Sequence, residues 1–190
     1  MRDIAVLLFF VLIVSSCGKK ATTPKPRGLY RIDIPQAHYT DFTSEELPYA
    51  FEVSQLVTIE LPSPDLSQNW INLVYESLNA KIYCTYQKIK KDELSLLDEE
   101  CRELVLRSIK WADEINEQAY ESPEMNVYAT LFFIEGETSS PVQFMLTDSA
   151  NHFFRGALYY QCPLNADSLN PVTDYLRNDV IRLIRSFYWK

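Results

Sequence analysis

The chain has 190 residues, 47% hydrophobic and 13% aromatic with 12 Tyr and 10 Phe, a composition that supplies a packed core and excludes global disorder. Its 18 basic and 26 acidic residues leave a net charge of −8, and an acidic body without a basic stripe repels nucleic acid. Only four glycines occur, so a glycine-rich phosphate cradle is missing, which argues against a nucleotide-dependent enzyme.

The length fits an export signal followed by one domain. Arg2 precedes an apolar run from Ile4 to Val14, and the small residues Ser15 and Ser16 lead into Cys17. A charged start, a short apolar centre and small residues make a secretory signal over 1–16, too short to span a bilayer stably. Val14-Ser15-Ser16-Cys17 is similar to the bacterial lipobox, whose cysteine carries lipid after cleavage. The alternatives are an ordinary signal with a chance cysteine, or a retained N-terminal anchor. Residues 17–28 then read as a lipidated Cys17 and a Pro-rich, extended tether. Lys19, Lys20, Lys25, Arg27 and Arg31 stand there without an acid among residues 17–31, which favours an anionic membrane surface. Residues 29–190 are expected to form a single α+β envelope domain.

Within that domain, 29–35 alternates and reads as an edge strand or extended arm ended by Pro35. Residues 38–47 are polar and read as irregular. Tyr49, Phe51 and Val53 mark the inward side of a first core strand, and 57–61 is a short alternating piece stopped by Pro62 and Pro64. The runs 70–75 and 80–86 read as a hairpin. From 92 to 119, Leu94, Leu97, Cys101, Leu104, Val105, Trp111, Ile115 and Ala119 recur at helical spacing. Its acidic run Asp98-Glu99-Glu100 reads as a solvated helix end rather than a metal or catalytic site. Asn126 to Ile134 is a strand and 135–139 a loop.

The 140–160 stretch carries the most information. Val142, Phe144 and Leu146 alternate with Gln143, Met145 and Thr147; residues 148–151 suit a tight reversal, and 152–160 resumes with Phe154, Leu158 and Tyr160 on one face. Gln143, Thr147, Asp148, His152 and Arg155 form a polar set inside this hairpin. They read either as a recognition patch, with Asp148, His152 and Arg155 as interaction candidates, or as a wet sheet face whose Arg155–Asp148 pair pins the turn. After a loop at 161–168, a last helix over about 170–188 starts near Pro171, a residue favoured at the first helical position. Val172, Leu176, Val180, Leu183, Ile184 and Phe187 form its buried stripe. Arg177, Arg182, Arg185 and Lys190 give it a basic outer face, for solubility or for an acidic partner. The expected fold is α+β, a mostly antiparallel β-sheet covered by two amphipathic helices over about 92–119 and 170–188.

Cys84, Cys101 and Cys162 are odd in number for an exported chain: either Cys84 pairs with Cys162 near strand ends, or all three are buried thiols. His38 and His152 make no familiar zinc spacing with them, and Gly-x-Ser-x-Gly is missing. Asp148, Ser149 and His152 are triad residue types, but neighbours within one turn seldom converge productively. No metal, no cofactor and no enzymatic chemistry is expected.

Two blocks, SPVQFMLTDSANHFFRGALYY and WINLVYESLNAKIYCTY, together with Pro24-Lys25-Pro26-Arg27-Gly28 and Tyr30-Arg31-Ile32, resemble the GldD family of gliding-motility lipoproteins from Bacteroidota. The resemblance covers most of 24–190. Leu29 departs from its usual aromatic, and Leu47 stands where relatives often carry Cys, so no disulfide is transferred. The resemblance implies a non-enzymatic assembly protein of the gliding and type IX secretion machinery, with other machinery proteins as partners and Cys17 as its link to the lipid membrane. Gly18-Lys19-Lys20 lacks an acidic export cluster, so the expected place is the outer membrane, facing the periplasm. The competing expectation is an envelope module that captures a small molecule, glycan or peptide on the sheet through Tyr and Trp side chains with Gln143 and Arg155.

Overall fold

The structure is a computed structural model and describes residues 34–61, 69–161 and 166–190. The first strands are β1 (Tyr39–Phe42), β2 (Tyr49–Ser54), β3 (Thr58–Glu60), β4 (Ile71–Tyr75) and β5 (Ala80–Lys88). Helix α1 (Leu94–Ser108) follows, then β6 (Ile109–Ser122), β7 (Val127–Thr138), β8 (Val142–Thr147) and β9 (His152–Tyr160). Helix α2 (Ala166–Ser186) and β10 (Tyr188–Trp189) close the order. Seven strands make one sheet in the order β3-β4-β5-β9-β8-β7-β6, and β1, β2 and β10 make a second. Every neighbouring pair is antiparallel, which gives the expected α+β class.

Period-two alternation divides the large sheet into two unlike faces. On the first, Ile71, Leu73, Ile82, Cys84, Phe144, Phe154 and Leu158 are buried against α2 and β2. Val172, Leu176, Val180, Leu183, Ile184 and Phe187 line the inner side of α2 as expected, and Tyr49 and Phe51 fill the space between the sheets. Val53 is only half-buried at its margin. On the second face a smaller cluster, Phe132, Ile134, Met145 and Phe153, packs against Cys101 and Val105 of α1.

The expected hairpins form. In the β4–β5 and β6–β7 connections a single 3₁₀ turn ends on Asn79 and Asn126, both left-handed at φ 48° and 50°. Asparagine tolerates that backbone because its short amide bonds locally.

Several boundaries differ from the sequence reading. The helix expected over 92–119 stops at Ser108, and 109–122 is a strand. The carbonyl of Ser108 accepts the N–H of Ser139 at 3.0 Å and the hydroxyl of Thr138 at 3.1 Å, which withdraws it from the helix ladder. Ile109 then turns extended (φ −90°, ψ 125°) and the chain pairs along β7, with irregular register before Glu114. Backbone pairing overrides the helical spacing of Ile115 and Ala119. Residues 38–47, read as irregular, contain β1, and the loop expected over 135–139 belongs mostly to β7. The last helix begins at Ala166, so Pro171 lies inside it and forfeits one ladder bond. It ends at Ser186, and Tyr188–Trp189 pair with β2 instead of extending it. Cys84 and Cys101 are free, buried thiols, the second of the two alternatives the sequence leaves open. Burial among apolar neighbours pushes the Cys84 thiol well up, keeping it a small hydrophobe. Cys17 and Cys162, the signal, the tether and arm residues 29–33 lie outside the described residues.

Gly156 pairs with Phe144 across β8–β9, and an added Cβ at Gly156 would meet the Phe144 ring at 2.1–2.8 Å. Phe144 is almost fully buried, so the ring has little room to yield. Gly156→Ala is expected to cost about 1–3 kcal/mol in denaturant unfolding, and Phe144→Leu to recover part of that loss in the double variant.

Candidate functional site

The β8–β9 hairpin carries the sequence-predicted set, and the pleat separates its members. His152 and Phe154 point to the first face of the sheet, Arg155 and Phe153 to the second. Asp148, His152 and Arg155 therefore do not converge.

Asp148 organises the turn. Its Oδ1 accepts the backbone N–H groups of Ala150, Asn151 and His152 at 3.0, 2.7 and 2.8 Å. Ser149 is left-handed at φ 65°, and its N–H donates to Thr147 Oγ1 at 3.0 Å. Partial burial pushes the Asp148 carboxyl up, but the three backbone donors outweigh it and hold the group below the usual carboxylate range. Asp148 takes no part in an ion pair with Arg155, so the expected pin across the turn is replaced by these backbone bonds.

On the first face, His152 Nδ1 shares a 2.7 Å hydrogen bond with the Tyr86 hydroxyl. Its ring stacks on Trp189 at 5.0 Å, and Trp189 Nε1 donates to the carbonyl of Asn126 at 3.0 Å. His152 thus holds the β10 segment against the sheet.

On the second face, the Arg155 guanidinium donates to Gln143 Oε1 at 2.9 Å, and Gln143 Nε2 donates to Ser108 Oγ at 3.0 Å. Ser108 Oγ in turn donates to the carbonyl of Val105 at 2.7 Å. This chain of bonds fastens the C-terminal end of α1 to the sheet, with Gln143 fully buried. Cys101 stands beside it: burial raises its thiol and the Arg155 charge lowers it, for a net rise to about 11. The thiol is protonated at neutral pH and unsuited to nucleophilic attack.

Between the first turns of α1 and the outer side of β6–β9 lies an open groove of about 540 Å³. Leu94, Met145 and Phe153 supply its apolar surface, and Ser95, Asp98 and Thr147 its polar groups. Asp98 also accepts from Arg102 Nε at 2.9 Å, while Arg102 makes a bidentate pair with Glu117 of β6 at 2.8 and 2.9 Å. Among the described residues, no three His, Cys, Asp or Glu side chains gather closely enough to hold a metal. The basic side of α2 is partly spent internally: Arg177 lies over Phe133 near Glu135 and Asp174, and Arg182 pairs with Glu52.

One group escaped the sequence reading. Asp179, 4% exposed, points from α2 into a set of hydroxyls, with Oδ1 accepting from Tyr39 at 2.7 Å. The Tyr75 and Ser54 hydroxyls stand near the same carboxyl, yet Oδ2 has no well-formed hydrogen bond. Burial pushes this carboxyl up, and the neighbouring hydroxyls pull back only part of the shift. Its signal was its spacing: three residues after Leu176 and four before Leu183, it interrupts an apolar stripe.

A family model described as gliding motility lipoprotein GldD matches residues 19–189. Among solved structures, the chain is similar to the solution structure of cyanobacterial PsbP (CyanoP) from Synechocystis sp. PCC 6803. That similarity has 10% identity, spans 87% of this chain and 99% of that one, and gives a TM-score of 0.48. Comparison with curated proteins finds no match.

The two carboxyls give opposite pH signatures. Asp148 is lowered in the fold, so its contribution is present above about pH 4 and lost as pH falls through the lowered value. Asp179 is raised, so its contribution is complete below about pH 4 and lost as pH rises through the raised value. In thermal unfolding, Asp148→Asn is expected to melt below the wild type at neutral pH, and Asp179→Asn above it. The Asp179 difference should shrink as the pH falls towards about 4, and the Asp148 difference only as it falls below that.

Proposed function

Because the chain belongs to the GldD family of gliding motility lipoproteins, a lipid-anchored family of the cell envelope, we propose that it acts as a non-enzymatic assembly component of the gliding machinery and of its associated type IX secretion apparatus. The family match over 19–189 carries this reading. The hairpin supports it: Asp148 is occupied by turn amides, His152 by Tyr86 and Trp189, and Arg155 by Gln143, so all three act as scaffold. The lipobox-like Val14-Ser15-Ser16-Cys17 supplies the anchor, with two or more acyl chains holding the protein to the membrane almost permanently. The basic residues that follow Cys17 in the sequence favour an anionic surface. The outer membrane, on its periplasmic side, fits a sequence without an acidic cluster after Cys17.

A second reading, capture of a small apolar ligand or peptide, is favoured by the groove of about 540 Å³ beside α1.

Deletion of the gene in its native host is expected to abolish colony spreading and to strip secreted cargo from the medium. The wild-type gene should restore both and Cys17→Ala neither, while Arg155→Ala at normal abundance should restore both. Normal spreading and secretion in the deletion strain would sink the machinery reading and leave the groove as the better lead.

A further inference from the structure

The large sheet ends on two unlike edges. β3 spans only Thr58–Glu60, whereas β6 runs 14 residues. From Glu114 to Ser122, β6 pairs in unbroken register with β7. Residues 114–119 are exposed on both faces, including Ile115 at 42%. Ordering a strand costs about 1–2 kcal/mol per residue in backbone entropy, and β6 buries little apolar surface here to offset it. Along its outer side, no backbone or side-chain group of the described residues bonds to the backbone of 114–122. Unpaired N–H and C=O groups in a row are a template for another strand.

Over 114–122 the charged residues of the strand are all acidic, Glu114, Glu117 and Glu121, with Lys91 and Arg102 near its α1-facing side. Glu114 and Glu121 lie on β6 with no ion pair among the described residues; Glu124 sits in the turn, and Glu135 and Glu137 on β7. Glu117 is paired with Arg102 and Glu135 with Arg177, which leaves Glu114 and Glu121 as the unpaired acids of the strand among the described residues. In the antiparallel register that sets 114 of one copy opposite 121 of the other, two β6 edges would bring like charges together, which disfavours a second copy in that pairing. We infer that β6 receives an extended, Lys- or Arg-bearing segment of a partner protein, which adds as an eighth strand along 114–122. The backbone supplies the affinity, and Glu114 and Glu121 select a basic segment over an acidic one.

The test is hydrogen exchange on the purified full chain in detergent. Two nine-residue probes are used, one alternating lysine with valine and one alternating glutamate with valine. The lysine probe is expected to slow exchange of the 114–122 amides about tenfold or more at saturation, and the glutamate probe to leave them unchanged. Glu114→Lys with Glu121→Lys should reverse that preference, while Glu45→Lys with Glu46→Lys, an equal charge change on an exposed turn, should not. Equal protection by both probes, or by neither, overturns the inference. So does protection that rises with protein concentration alone, because a second copy then holds the edge. In the native host, the double variant at 114 and 121 should lose spreading at normal abundance while the 45 and 46 control keeps it. Normal spreading by a double variant that no longer binds the lysine probe overturns the basic partner. If the deletion strain itself spreads, the motility reading fails, and the exchange result still decides the edge.

Discussion

The packing of Phe154 is the constraint on which the rest of the architecture depends. Its ring sits 4.8 Å from Tyr49, 5.3 Å from Phe187 and 6.3 Å from both Phe51 and Phe144. Those partners come from β2, from the turn after α2 and from β8, so one residue of β9 ties both sheets to the C-terminal helix. Aromatic pairs at these distances add about 0.5–1.5 kcal/mol each beyond the area they bury. The network closes only because Gly156, opposite Phe144, leaves room for its ring. A small residue two positions after Phe154 is therefore as much a part of the core as the rings are.

That same strand explains why His152 and Arg155 do not share one face of the sheet. A pleated strand sends consecutive side chains to opposite faces, so fixing Phe154 inward fixes His152 inward and Arg155 outward. His152 joins the aromatic layer and clamps Trp189, while Arg155 reaches Gln143 and, through Ser108, the end of α1. Both residues connect the sheet to something laid over it, on opposite sides. Such bonds are costly to leave half-made, since a buried amide such as Gln143 stripped of a partner loses about 1–3 kcal/mol.

Much of this was legible in the sequence. The alternation of Val142, Phe144 and Leu146, the Asp148–Asn151 reversal and the stripe from Val172 to Phe187 each express a period that burial imposes, and all appear in place. What could not be read is where backbone pairing takes over from pattern. In β6 neither face is buried over 114–119, so no period-two signal is written there, and Ile115 and Ala119 fell by chance on the continuation of the α1 stripe. The polar hairpin residues stand out in the sequence, yet their roles depend on partners distant in it, Tyr86 for His152 and Ser108 for Gln143, as does that of Asp179 on α2, which the sequence does not single out and whose partner is Tyr39. Asp148 alone found its partners locally, and its role at the turn was the easiest to anticipate.

The two faces of the sheet also differ in how firmly they are closed. The first is sealed by α2, β2 and the aromatic network, whereas the second rests on a short list of contacts: Cys101 and Val105 on Phe132, Ile134, Met145 and Phe153. Beyond these, α1 is held by the Gln143–Ser108 bond at one end and the Arg102–Glu117 pair along its length, the latter exposed and individually weak. Its first turns stand off the sheet and leave the groove. Local opening costs least where buried apolar contacts are fewest, so α1 and the β6 edge are the parts that move or accept a neighbour at low cost. The firmly sealed face carries the fold, and the lightly fastened one can rearrange without unfolding the core.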